Sequence, residues 1–175
     1  KFRTKGIVTT NPIAVGDVVD FEMEPEQETG VITNLHQRKN YIIRKSINLS
    51  KQAQIIAANI DQAFLMVTLA SPRTSLGFID RFLVTAEAYD IPASLVFNKL
   101  DLFSDEGLEI LAGYKAIYEK IGYPCYEVSA LEGTGVEQVA KLLQDKVTLF
   151  SGHSGVGKSS LINALLPDLK LRTTE

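Results

Sequence analysis

The stretch Val147-Thr148-Leu149-Phe150-Ser151-Gly152-His153-Ser154-Gly155-Val156-Gly157-Lys158-Ser159-Ser160-Leu161 decides how the rest of the chain is read. Residues 152–159 fit the pattern G-x-x-x-x-G-K-[ST], with an apolar strand expected over 147–150 and an apolar helix over 158–166. A polyphosphate cradle needs that context. Gly152, Gly155 and Gly157 let the backbone turn its N–H groups toward phosphate oxygens, and the helix start adds its dipole. Lys158 is expected to reach the β- and γ-phosphates and the Ser159 hydroxyl to ligate Mg²⁺, while Ser160 carries the loop into the helix. Ser154 and Val156 complete the cradle. His153 reads as a spacer rather than a general base, because such a loop binds through its backbone.

Upstream of this loop, apolar runs of strand length alternate with helical patterns. Strands are expected over 63–69, 93–97 and 125–128, and helices over 78–89, 105–121 and 136–143. The first helix places Phe78, Ile79, Phe82, Leu83 and Ala86 on one face. The second groups Leu108, Leu111, Tyr114, Ile117, Tyr118 and Ile121 in the same way, behind Ser104 as N-cap. Continuous apolar strands alternating with helices indicate an α/β unit with a parallel sheet covered on both faces.

The purine is indicated by a second constellation. Asn98-Lys99-Leu100-Asp101 follows the 93–97 strand directly, at the carboxyl end where nucleotides bind in open α/β sheets. It resembles the N-K-x-D element of translation-factor-like GTPases. A carboxylate at Asp101 can accept from guanine N1–H and the exocyclic amine together, a donor pair adenine lacks. Ser129-Ala130, after the 125–128 strand, resembles the S-A element whose backbone N–H contacts the guanine O6. An ATP-dependent kinase or ATPase could use the phosphate loop alone, but it has no use for Asp101. The order is unusual: Asn98 lies 54 residues before Gly152, with Ser129-Ala130 between them. Ordinary GTPases run the other way, so the motifs are circularly permuted.

Residues 1–45 read differently. Short apolar runs at Gly6-Ile7-Val8, Val18-Val19-Asp20-Phe21, Val31-Ile32 and Tyr41-Ile42-Ile43 are separated by turn-forming stretches, as in a small β-barrel or curled sheet. The length is short for a closed five-stranded barrel, which leaves room for strands before Lys1. Residues 46–60 read as a connector, and residues 61–175 as the nucleotide domain. Residues 1–60 carry a net charge of +2 and residues 61–175 one of −5. Arg38, Lys39, Arg44, Lys45 and Lys51, with Tyr41 among them, form a basic stretch able to grip a phosphate backbone. The longest near-apolar run, 63–70, is eight residues, far below the roughly 20 that span a bilayer. No export signal opens the chain, and the single Cys125 fits a small buried thiol in a reducing cytosol. A cytoplasmic, membrane-free and monomeric protein is therefore expected.

A permuted GTPase behind a small barrel resembles the ribosome small-subunit-dependent GTPase A family (RsgA, also called YjeQ). The likeness is carried by Thr10-Asn11-Pro12-Ile13-Ala14-Val15-Gly16-Asp17, Asn48-Leu49-Ser50-Lys51-Gln52, Ala57-Ala58-Asn59-Ile60-Asp61 and residues 151–161. It implies an OB-fold-like RNA-binding domain at residues 1–45, GTP and GDP as ligands, hydrolysis stimulated by the small (30S) ribosomal subunit during its late maturation, and contact with ribosomal RNA. It also implies a carboxy-terminal Zn²⁺ domain, for which this chain has no ligands. Only 16 residues follow Ser159, without the D-x-x-G element, so a truncated chain is expected. Thr173 and Thr174 follow the last helix so closely that a plain helix exit is expected of them rather than an Mg²⁺-ligating switch. The alternative is a nucleotide-gated RNA adaptor without significant turnover.

Overall fold

The computed structural model describes residues 12–25, 28–45 and 53–173. The chain divides into two compact units, Lys1–Ile60 and Asp61–Glu175.

In the second unit, strands β5 (Gln62–Val67), β6 (Ala93–Phe97), β7 (Cys125–Glu127) and β8 (Thr148–Ser151) form one sheet in the order β7-β6-β5-β8. Every pairing is parallel. Helices α1 (Leu76–Ala88), α2 (Asp105–Lys120), α3 (Val136–Leu143) and α4 (Lys158–Leu165) make the connections. All six residues of β5 are buried, as the central strand of a sheet covered on both faces requires. Phe64, Met66 and Val96 pack with Val139 of α3 and Leu161 of α4 on one face. Period-2 alternation sends Leu65 and Phe97 to the other face, where the Phe97 ring lies edge-on to Tyr114 of α2, 6.4 Å between centroids.

The helix caps follow the sequence. Ser75 Oγ accepts from the Phe78 N–H at 3.3 Å, and Ser104 Oγ from the Gly107 N–H at 3.3 Å. The expected inner face of α2 is only partly the real one. Leu111 and Tyr118 are buried, but Leu108, Ile117 and Ile121 are exposed. Apolar residues wrap around much of this helix, and the face turned to the sheet is the narrower one of Leu111, Tyr114 and Tyr118. The Tyr118 hydroxyl stays within that face by donating to Asp80 Oδ1 at 2.9 Å.

In the first unit, β1 (Val19–Met23) pairs antiparallel with β2 (Gly30–Leu35), and β3 (Tyr41–Lys45) with β4 (Ala53–Ala58). Each pair carries a register shift, at Asp20/Phe21 and at Ile42/Ile43, that bends its ribbon. A parallel bridge joins Val15 to Ala57. Strand β4 corrects the expectation of a plain connector over 46–60. Ala and Gln in Ala53-Gln54-Ile55-Ile56-Ala57-Ala58 disguise it, since both are indifferent strand formers. Pairing with β3 and burial of Ile55 decide the matter. The strand expected at Gly6-Ile7-Val8 lies outside the described residues.

Candidate functional site

Because the four strands of the second unit run parallel, the loops after them emerge at one edge of the sheet, at 68–75, 98–104, 128–135 and 152–157. Every residue expected to touch nucleotide lies in these loops or at the start of α4.

The 152–157 loop is pinned from beneath. The Val156 side chain is buried in the core shared by α3 and α4, and its carbonyl accepts from the Asn98 amide at 2.9 Å. Next to it, Gly157 has φ +91°, and a Cβ there would stand 2.3 Å from Asn98 Nδ2. No other residue fits. Lys158 opens α4 and folds back over the loop, its ammonium donating to the carbonyls of Gly152 at 2.9 Å and His153 at 2.7 Å. Burial holds its pKa below the ordinary lysine range. Ser154, Gly155, Gly157, Lys158, Ser159 and Ser160 line a cavity of about 190 Å³ together with Lys99 and Thr173.

An adjoining cavity of about 230 Å³ is lined by Asn98, Lys99, Asp101, Leu102, Ala130, Leu131, Gly157 and Ser160. Asn98 ties three loops together. Its Nδ2 reaches the 152–157 loop, and its Oδ1 accepts from the Ala130 N–H at 3.1 Å. Leu100 begins a short 3-10 turn, Leu100–Leu102, that sets Asp101 facing the 128–135 loop. The buried Ser129 hydroxyl donates to Asp101 Oδ1 at 2.5 Å and accepts from the Glu132 N–H at 3.2 Å. The carboxylate is thereby oriented by a fixed hydroxyl, with lone pairs left for a pair of ligand donors. Lys99 adopts the left-handed conformation (φ +67°) and belongs to both cavities, its ammonium donating to the Ser71 carbonyl at 2.5 Å.

Chemically, the edge offers backbone N–H groups and an ammonium at one end and an oriented carboxylate at the other. Ser159 adds one hard hydroxyl beside Lys158. Mg²⁺ typically takes one or two protein oxygens, several waters and substrate phosphates, so the donor set fits that ion. Among the described residues, no three His, Cys, Asp or Glu side chains stand close enough to hold a metal by themselves.

Several neighbours of the site carry no motif signal. The His153 ring stacks on Phe78 of α1, 3.9 Å between centroids and 32° between planes, so its side chain packs sideways. Leu102 and Leu131 flank the Asp101 cavity, and Ser71 receives Lys99. Thr173, expected only as a helix exit, lines the Lys158 cavity, whereas Thr174 lies outside the described residues. Cys125 is half-buried, and burial pushes its thiol up to about 11, so it stays protonated.

Of the basic stretch in the first unit, Arg38 is engaged internally. Its Nε and Nη2 donate to the two oxygens of Asp17 at 2.6 and 2.7 Å, and Nη2 also reaches the Pro12 carbonyl at 3.2 Å. The Asp17 side chain is 1% exposed. This geometry gives Arg38 a structural task that competes with the expected grip on RNA. Lys39 is exposed and its N–H donates to Asn59 Oδ1 at 2.9 Å. The side chains of Arg44 and Lys45, and Lys51 as a whole, lie outside what is described.

Comparison with known proteins agrees with this architecture. The family model described as RsgA GTPase matches residues 35–175. The small ribosomal subunit biogenesis GTPase RsgA of Flavobacterium psychrophilum is 54% identical over 175 residues, covering 99% of this chain and 54% of the relative. RsgA 2 of Bacteroides thetaiotaomicron is 56% identical over 174 residues, covering 99% of this chain and 56% of the relative. Among solved structures, YjeQ from Thermotoga maritima superposes with a TM-score of 0.77 at 40% identity, over 93% of this chain and 54% of that one. YloQ, described as a circularly permuted GTPase, gives 0.67 at 35% identity, over 95% of this chain and 55% of that one. The chain thus spans about half the length of the curated relatives it matches.

Proposed function

The chain belongs to the RsgA GTPase family, and on that premise we propose that its second unit binds guanine nucleotides and hydrolyses GTP in the service of small-subunit maturation. The observation that carries the reading is the single loop edge on which Lys158 and Ser159 stand at one end and Asp101, oriented by Ser129, at the other.

The geometry supports the following roles. Asp101 accepts the paired donors of guanine, and Asn98 holds the three loops in register so that base and phosphates are read together. The Lys99 stem lies along the base, and Asn98 Oδ1, by accepting from the Ala130 N–H, holds the Ser129-Ala130 turn next to it. Backbone N–H groups of 152–160 receive the phosphates. Lys158 exchanges its two loop carbonyls for phosphate oxygens, and its partial dehydration lowers the cost of that exchange. Ser159 would hold Mg²⁺, which when bound neutralises charge developing on the phosphates. Catalysis in such a site is chiefly positioning and charge stabilisation, so slow unaided turnover, accelerated by the small ribosomal subunit, is the expected behaviour. The relatives' ribosomal naming supports that partner and a cytoplasmic setting. Contact with ribosomal RNA is assigned to the basic stretch Arg38, Lys39, Arg44, Lys45 and Lys51, in which Arg38 also pairs with Asp17.

Calorimetric titration with GDP, GTP and ATP in Mg²⁺ tests the reading. Guanine nucleotides should bind and ATP should not. Asp101→Asn should shift preference from guanosine toward xanthosine nucleotides by about 100-fold, the worth of a buried donor–acceptor mismatch. A preference for ATP, or no shift in the variant, defeats the assignment.

A further inference from the structure

The chain leaving α4 buries little of its apolar surface. Leu166, Leu169 and Leu171 are all exposed, so hydrophobic packing does not dictate its path. It runs through a 3-10 turn, Pro167–Leu169, and then through Lys170 in the left-handed region at φ +45°. One side chain fastens the residue that follows. Asn163, on α4, donates from Nδ2 to the Leu171 carbonyl at 2.8 Å and accepts on Oδ1 from the Leu171 N–H at 2.7 Å. This is the paired bond of a β-ladder, made by a carboxamide instead of a second strand. Two residues further on, Thr173 lines the cavity that also holds Lys158 and Ser159.

We propose that Asn163 is a positioning residue that latches the chain leaving α4, through Leu171, so that Thr173 stands at the phosphate cavity. The proposal rests on the nucleotide reading above. Asn163 itself touches neither cavity. It acts through the backbone, and because the latch consists of two hydrogen bonds at the surface, it is weak enough for a bound phosphate to tip. The group in its reach is the outermost phosphate of a nucleoside triphosphate rather than the base, since Thr173 belongs to the Lys158 cavity and not to the Asp101 cavity.

The test is a fluorescence titration of the chain with mant-GDP and with mant-GppNHp, each in Mg²⁺, for wild type, Asn163→Ala, Thr173→Ala and the double variant. Asn163→Ala should weaken the triphosphate analogue about tenfold, the equivalent of two modest hydrogen bonds, and leave mant-GDP within about twofold. The double variant should bind the analogue no more weakly than Thr173→Ala alone, because both changes act through one contact. Leu171→Pro, which deletes the N–H that Asn163 accepts and leaves α4 untouched, should reproduce the selective loss even if Asn163→Ala compromises folding. Unchanged affinity for the analogue, an equal loss for both nucleotides, or losses that multiply in the double variant each overturn the latch. A wild-type chain that binds neither nucleotide overturns the nucleotide reading and the latch with it.

Discussion

Strand β5 and strand β1 sit at opposite extremes of burial. All six residues of β5 are buried between two layers of helix, whereas four of the five residues of β1 are exposed and the fifth is half-buried. The second unit is held by apolar area. The described part of the first unit has few fully buried apolar residues, Ile42, Ile55, Ala58 and Ile60, and is fastened by polar groups at its turns. Asn40 spans Ile60 with a donor and an acceptor at 2.8 Å each, Asn59 holds the Gly16 carbonyl at 2.8 Å, and Asp17 gathers Arg38 and the Ala14 N–H. A sheet covered on both faces draws its stability from apolar area, and its polar fasteners, Asn98 and Ser129 among them, serve the loops at one edge. Two-stranded ribbons have little such area, so here side chains do what packing does in the other unit.

The contrast can be tested by hydrogen exchange, read separately on β5 and on β1 to β3. Phe64→Ala removes a ring that meets Phe150 edge-on at 5.6 Å between centroids in a closed core. It should cost the second unit about 3–5 kcal/mol, the largest effect of the series. Arg38→Met leaves Asp17 with its Ala14 bond but without its ion pair, and should cost the first unit roughly 3 kcal/mol, because a nearly buried carboxylate loses its counter-charge. A loss as small as that of a surface pair would show that the polar fasteners are ornamental.

The same pair sets a pH signature. The hydrogen bonds from Arg38, more than any other influence, hold the Asp17 pKa below the ordinary carboxylate value. A depressed folded pKa stabilises fully above the unfolded value of about 3.9 and is lost as pH falls through the lower folded value. Protection of β1 to β3 should therefore fall on acidification below about pH 4, and Asp17→Asn should flatten that fall. Phe21→Ala should have the smallest effect, under about 1 kcal/mol, since Phe21 is 59% exposed. A cost comparable to that of Phe64→Ala would mean that the β1–β2 face is covered in solution and that the contrast between the units is one of degree.

Much of the loop edge was legible from residues alone. The motif residues at 98–101, 129–130 and 152–160, whose spacing to their strands is short and local, do stand at one edge of the sheet. Alternation of strand and helix located all eight strands and α-helices of the second unit to within two residues, α2 and β5 included. What escaped was set by long-range partners. Strand β4 has only Ile55 and Ile56 as strand formers among Ala and Gln, and pairing with β3 completes it. The exposed Leu108, Ile117 and Ile121 on α2 read as core because periodicity reports which residues share a face, not how wide a face the sheet will cover. Arg38 read as a phosphate grip because Asp17 stands 21 residues away.

From residues alone came the motifs and their order, N-K-x-D and S-A before the glycine-rich loop, because each is a short stretch at the end of an apolar strand. Packing across the fold settled which side chains join these pieces. Asn98 bridging three loops, Phe78 under His153, Asp17 holding Arg38 and Asn163 holding Leu171 are all contacts between elements. The physical reason is range. A hydrogen bond within a turn is encoded by the turn, whereas one across the fold requires every intervening element to be packed first.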